Sequence, residues 1–335
     1  MNYLQGGVLG LVQGLTEFLP VSSSAHLRLT AALAGWDDPG AAFTAVSQIG
    51  TEAAVLIYFR RDLARIGRAW AASIARGDRR GDPDARLGWL VLLGTVPIGV
   101  CGVTMQDAIE GPFRDLRLIA ATLIILGLVL GGADRQAAKV RLRGRHARVR
   151  RQRTLDDLTL RDGLLYGLAQ SAALIPGVSR SGATISGGLL LGYTREAAAR
   201  YSFLLAMPAV LASGLFELRG LARPHADADT AADAAGTVGG AAPTTCLVGS
   251  GDAEVVWGPT VLATVVAFGT GYAAVAWFLR YISTRSFAPF VAYRVGLGLL
   301  LLGLLAGGVL DADAADPTGT GPVGDTPSEA STTVG

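Results

Sequence analysis

Apolar positions along this chain come in long unbroken runs, not in the alternation of a half-buried strand. Six stretches, residues 42–59, 87–106, 117–133, 200–218, 259–280 and 291–310, stay predominantly apolar over about the 20 residues an α-helix needs to cross the hydrocarbon of a bilayer. Two further stretches, 3–35 and 163–192, are each interrupted in the middle, at Pro20 and at Pro176-Gly177. Their halves are too short to span a bilayer. Proline cannot continue the helical ladder, and serines just beyond it are good caps for a new helix. Non-helical backbone at membrane depth is tolerated only where protein or a watery cavity covers it. The pattern therefore predicts an all-α polytopic membrane protein with six transmembrane helices plus two re-entrant helical hairpins.

The two interrupted stretches are copies of each other. GLVQGLTEFLPVSSSAH (10–26) and GLAQSAALIPGVSRSGAT (167–184) both open Gly-Leu-small-Gln, run apolar to a proline and then turn serine-rich. The offset is 157 at Gly10/Gly167 and Gln13/Gln170, and 156 at Pro20/Pro176, so one residue of slippage separates them. Arginine and lysine set the orientation, because basic connections stay in the cytoplasm. Segments 60–86 and 134–161 are rich in arginine, whereas 220–254 and the tail 311–335 carry mostly acids. Threading six crossings through these constraints gives an inverted-topology repeat with halves at about 3–133 and 163–310, its two broken hairpins meeting near the midplane. Residues 1–310 form one integral membrane domain in this reading, with 134–161 a basic cytoplasmic loop, 220–254 a flexible outside loop and 311–335 a disordered acidic tail. The basic run at 134–161 is read as a loop facing anionic lipid, not as a nucleic-acid site.

Composition agrees. Half of the 335 residues are hydrophobic, 17% are charged and the mean hydropathy is +0.41, far from a soluble enzyme with about a quarter of its residues charged. The 45 glycines suit close helix packing in lipid. Cys101 and Cys246 stand far apart and imply neither a disulfide framework nor a metal cluster. The N-terminus lacks a basic leader segment and its apolar run holds Gln13 and Glu17, so no cleavable signal peptide is expected.

The chemistry gathers at the two breaks. Gln13 and Glu17 share one helical face, and an ionised carboxylate at such depth must meet a cavity or a cation. Ser22, Ser23, Ser24 and His26 follow, placing hydroxyls and an imidazole in the first turn of the next half-helix. Histidine is the acid or base that works near neutral pH. The second break supplies the opposite charge: Arg180, flanked by Ser179 and Ser181 and followed by Thr184, offers a planar fork that fits phosphate. Bland readings compete with each of these. The serines could be caps, Glu17 could brace its turn, and Arg180 could pair with Glu17 merely to hold the hairpins together. Gln48 and Glu52 repeat the Gln-x3-Glu spacing; they are read first as an interhelical hydrogen bond between packed helices and second as lining the same cavity. Arg294 is read as a snorkelling anchor near the cytoplasmic start of the last crossing. Taken together, the residue types describe an anion-binding pocket equipped for acid/base work and open to the bilayer, which points to hydrolysis of a phosphorylated lipid.

QGLTEFLPVSSSAH and PGVSRSGAT, in this topology, resemble the undecaprenyl-diphosphatase family of bacterial membrane phosphatases, the bacitracin-resistance proteins. The resemblance covers about residues 3–310, and FTAVSQIG at 43–50, ARYSFLLAMP at 199–208 and PFVAYR at 289–294 are weaker family-like pieces. It implies hydrolysis of undecaprenyl diphosphate to undecaprenyl phosphate and inorganic phosphate, recycling the carrier lipid of cell-wall synthesis at a multi-pass site in the inner membrane that faces outward. Carried over residue by residue, it implies Glu17, Ser23, His26 and Arg180 as catalytic, with Gln13, Ser22, Ser179, Ser181 and Thr184 around the substrate. It also implies a divalent cation, usually Mg²⁺, at Glu17 with Gln13. Position 13 is Gln here where many members have Glu, so Mg²⁺ is expected to arrive mainly on the diphosphate. Ser23, His26 and water all stand as candidate nucleophiles. The expected partners are the lipid and the bilayer, with no nucleic acid and a homodimer left open. Broken hairpins in inverted repeats also build secondary transporters, so a polyprenyl-phosphate flippase is the competing function.

Overall fold

The computed structural model describes residues 1–37, 40–76, 82–105, 115–146, 152–221 and 256–310. Within them the chain is helical, with no strand. The first half holds α1 (Tyr3–Thr16), α2 (Ser23–Ala34), α3 (Gly40–Tyr58), α4 (Arg60–Arg76), α5 (Pro83–Thr104) and α6 (Leu116–His146). The second holds α7 (Leu160–Ser171), α8 (Arg180–Leu190), α9 (Arg195–Leu221), α10 (Trp257–Thr284) and α11 (Ala288–Ala306). The expected 220–254 loop and acidic tail fall outside the described residues, apart from the last turn of α9.

Among the described residues, four helices are long and apolar enough to cross a membrane: α5, α6 through Lys139, α10 and α11. Six crossings were expected, and the other two expected ones correspond to α3 and α9, helices of 19 and 27 residues. One difference concerns the basic segment 134–161. Helix α6 runs on through His146, because arginine, lysine and alanine are strong helix formers. The far end of the segment is also ordered: Arg153 forms an ion pair with Asp162, which accepts in addition from Thr159 and Tyr193.

The halves are interleaved. Helix α1 lies along α10 and, reciprocally, α7 lies along α5; α6 and α11 pack on each other. Matching glycines make the first two contacts close. A Cβ on Gly10 would collide with the Ala263 carbonyl, and one on Gly167, its mate at the 157 offset, with the Gly94 carbonyl. Each half-helix of one repeat is thus held by a long helix, α1 by one from the other half and α7 likewise. Between them lies a core in which the Phe18 ring meets Phe203 edge-on at 5.7 Å and Phe203 continues to Phe278 at 6.0 Å. Such contacts add about 0.5–1.5 kcal/mol per pair beyond burial. Phe18 follows Glu17 directly, so this core fixes the backbone of the first break.

Candidate active site

Both breaks lie where the prolines place them, and they share an unusual detail. The residues that cap α2 and α8, Ser22 and Ser179, have φ of 74° and 68°. They stand 157 residues apart, at the repeat offset, and are the non-glycine residues with positive φ among the described residues. L-residues rarely adopt this region, and its recurrence ties each serine cluster to one backbone shape. In both copies the hydroxyls two apart approach to 3.2 Å, Ser22 with Ser24 and Ser179 with Ser181. Ser179 Oγ also accepts from the Gly182 amide at 3.2 Å, capping α8.

Glu17, at the C-terminus of α1, is the centre of the site. Its Oε2 accepts from Gln13 Nε2 at 3.0 Å and from Ser23 Oγ at 2.7 Å. Its Oε1 accepts from Gln48 Nε2 at 3.1 Å and pairs with the Arg180 guanidinium. A carboxylate has about four lone-pair sites, and all four are taken. The breaks are also stitched directly, Ser181 Oγ donating to the Leu19 carbonyl at 3.0 Å. Residues 13, 17, 23, 180 and 181 therefore come together as the sequence reading required. Ser22 is buried in the turn. Thr184 lies behind Arg180, fully buried, donating to the Arg180 carbonyl at 2.7 Å and bonded to Ser202.

His26 lies one turn along α2 from Ser23, on the same face. Its Nδ1 is 2.6 Å from the Ser22 carbonyl and its Nε2 is 2.6 Å from the Tyr293 hydroxyl. A carbonyl only accepts, so for a neutral ring the proton sits on Nδ1 and the Nε2 lone pair faces Tyr293. The neutral imidazole thus has a fixed tautomer.

One residue stands differently from expectation. Arg294 is not a snorkelling anchor: it is fully buried. It donates to the carbonyls of Pro20 (3.2 Å), Gly177 (2.9 Å), Val178 (3.1 Å), Leu123 (3.3 Å) and Thr122 (3.4 Å), clamping both breaks. Its place near the start of α11 is as expected; what sequence position did not reveal is that it faces the bundle. Gln48 and Glu52 answer to both readings given them. Gln48 donates to Glu17, and Glu52 lines the cavity formed with Glu17, Phe18, Val55, Arg180 and Ser181. Tyr293 was missed. The repeated Gln-x3-Glu spacing was the available signal for α3, and an arginine within an apolar run was the one for Arg294.

No group of three or more His, Cys, Asp or Glu side chains converges as a metal centre among the described residues. Among the buried side-chain oxygens that meet no donor, however, are Gln13 Oε1 and Glu52 Oε1, on residues next to Glu17 or lining its cavity. Hard cations such as Mg²⁺ bind oxygen and keep much of their shell as water or phosphate, so an all-oxygen set of this kind fits a cation delivered on a diphosphate.

The family model described as "Bacitracin resistance protein BacA" matches residues 7–300. Among curated proteins, Undecaprenyl-diphosphatase 3 of Frankia alni is 74% identical over 90% of this chain and 94% of its own length. Undecaprenyl-diphosphatase 2 of Frankia casuarinae is 72% identical with the same coverage. Undecaprenyl-diphosphatase 2 of Streptomyces avermitilis is 59% identical, again over 90% and 94%.

Proposed function

The chain belongs to the bacitracin resistance protein BacA family, and from that premise we propose that it is an undecaprenyl-diphosphate phosphatase. It hydrolyses undecaprenyl diphosphate to undecaprenyl phosphate and inorganic phosphate, returning the carrier lipid to cell-wall synthesis and thereby giving resistance to bacitracin. The observation that carries this reading is the carboxylate of Glu17, which accepts from the Ser23 hydroxyl of its own break and from Arg180 of the other. A nucleophile, its base and an anion clamp meet at one group.

In the resting site Arg180 is neutralised by Glu17. An entering diphosphate competes for the guanidinium, whose planar fork suits phosphate oxygens. Ser179, Ser181 and the amides opening α8 add donors beside it, since a helix N-terminus favours an anion. Glu17, released from Arg180, accepts the Ser23 proton as Oγ attacks the terminal phosphorus. The bond from that phosphorus to the bridging oxygen breaks, and the proton passes to the departing undecaprenyl phosphate. A water then gives its proton to His26 Nε2 as its oxygen attacks the phosphoserine phosphorus. The bond from phosphorus to Ser23 Oγ breaks, releasing inorganic phosphate, and the proton passes from His26 to Oγ, restoring Ser23 and the neutral imidazole. Most of this catalysis is positioning and charge neutralisation, as phosphoryl transfer requires. Glu17 and the Gln13 carbonyl oxygen are the groups that would hold Mg²⁺, which supplies charge neutralisation on the diphosphate.

In this reading the protein sits in the bacterial inner membrane with six crossings and two re-entrant hairpins, the second half inverted relative to the first. Support comes from the arginine-rich segments 60–86 and 134–161 against the acidic 220–254 and from the reciprocal packing of α1 on α10 and α7 on α5. The site then opens to the outer leaflet.

Hydrolysis is tested with purified full-length protein in detergent, where there is no membrane to cross. Wild type with Mg²⁺ should release inorganic phosphate from undecaprenyl diphosphate, and acid-quenched turnover should leave a phosphoryl group on Ser23. A pure transporter of the lipid would release none. Phosphate release without a modified Ser23, in a Ser23→Ala variant that keeps turnover, would make water the direct nucleophile.

A further inference from the structure

Glu17 has no lone-pair position left for a ligand, its four being taken by Gln13, Ser23, Gln48 and Arg180. The other carboxylate of the cavity is in the opposite condition. Glu52 comes from α3, one turn beyond Gln48, and is 2% exposed. It lines the same cavity as Glu17 and Arg180, and its Oε1 is buried without a hydrogen-bond partner. A buried acceptor left bare needs an explanation, and a role as ligand to an ion is one. One cation, Arg180, is shared by two acidic groups in this cavity, and Arg180 is bonded to Glu17.

We propose that Glu52 is a ligand of the divalent cation, sharing it with Glu17 once the diphosphate has drawn Arg180 away. The proposal rests on the phosphatase reading. Mg²⁺ sites use one or two carboxylates completed by substrate phosphate oxygens and water, and Glu17 and Glu52 are the two this cavity provides. The second carboxylate of the site thus comes from α3, while position 13 on α1 contributes a neutral amide whose Oε1 is also buried and unpartnered. Arrival of a divalent cation offsets the excess negative charge of the pair, which suits a strongly anionic substrate. Gln48 has a part in this arrangement too. From the preceding turn of α3 it holds Glu17 Oε1 on the side that Glu52 shares.

The test reads metal binding directly. Full-length protein in detergent is titrated with Mn²⁺, and free Mn²⁺ is followed by electron paramagnetic resonance, first alone and then with a methylene-bridged polyprenyl diphosphonate that cannot be cleaved. Wild type should bind Mn²⁺ with the diphosphonate present, and Glu52→Gln should weaken that binding by about 10-fold or more. Glu52→Asp, which keeps the charge and serves as well if the amide variant is unstable, should fall between. Adding Gln13→Glu to Glu52→Gln should recover affinity, because it returns a carboxylate beside Glu17; a merely structural Glu52 would show no such rescue. Wild-type Mn²⁺ affinity in folded Glu52→Gln, or no Mn²⁺ bound by wild type, would overturn the assignment. The two readings fail separately: absence of phosphate release by wild type sinks hydrolysis, whereas normal release with unchanged Mn²⁺ binding in Glu52→Gln sinks only the role of Glu52.

Discussion

Arg294 shows how much of this site depends on one side chain that sequence position alone misplaces. Its guanidinium spends its donors on five backbone carbonyls, three of them, Pro20, Gly177 and Val178, in the two breaks. Those carbonyls lack helical partners because the prolines end their helices, so the charge replaces hydrogen bonds that the breaks have lost. Arg294→Met removes the donors and leaves the acceptors buried, at about 1–3 kcal/mol for each one left bare. The expected result is an unfolding free energy lower by more than about 3 kcal/mol, measured by thermal or denaturant unfolding in detergent. An unchanged midpoint would mean that other donors satisfy the breaks. The meeting of Glu17, Ser23 and Arg180 was legible because each is a polar residue a few positions from a proline break in an apolar run. The roles of Arg294 and Tyr293 were not, because they sit within a continuous helix, where only the facing of the side chain distinguishes a lipid anchor from a site residue; Glu52 showed itself only through its repeated Gln-x3-Glu spacing.

At the scale of elements, the breaks were read from Pro20 and Pro176-Gly177, and the half-helices stand where those residues put them. The positive φ of Ser22 and Ser179 carried no such signal, since nothing but the surrounding contacts makes a serine adopt it. Polar residues within α3 have a reason now visible: Gln48 bonds Glu17 and Glu52 lines the cavity. Helix α6 overran its expected end because the local preference of a basic run is helical even where its charge belongs in water. The glycine contacts test the interleaving. Gly10→Leu forces a side chain against the Ala263 backbone and Gly167→Leu against that of Gly94. Each should destabilise the fold by about 1–3 kcal/mol, read as a lower unfolding midpoint in detergent. If either were tolerated without loss, α1 or α7 would not be seated on its long helix as described.

For the molecule as a whole, the repeat explains why an apolar chain holds a charged centre. Each half supplies one break, and neither break is complete alone. The first has a carboxylate, hydroxyls and an imidazole, and the second has the guanidinium. Interleaving of the halves brings them into register, with Ser181 bonded to Leu19 and Arg180 to Glu17. The same ion pair could serve only to fasten the halves, and one comparison separates fastening from catalysis. Phosphate release from undecaprenyl diphosphate by wild type and by Arg180→Ala, each in detergent with Mg²⁺ and each eluting as a folded species, measures it. The account predicts release by wild type and none above background from folded Arg180→Ala. Turnover retained in that variant would contradict it and leave the Glu17–Arg180 pair a structural bolt.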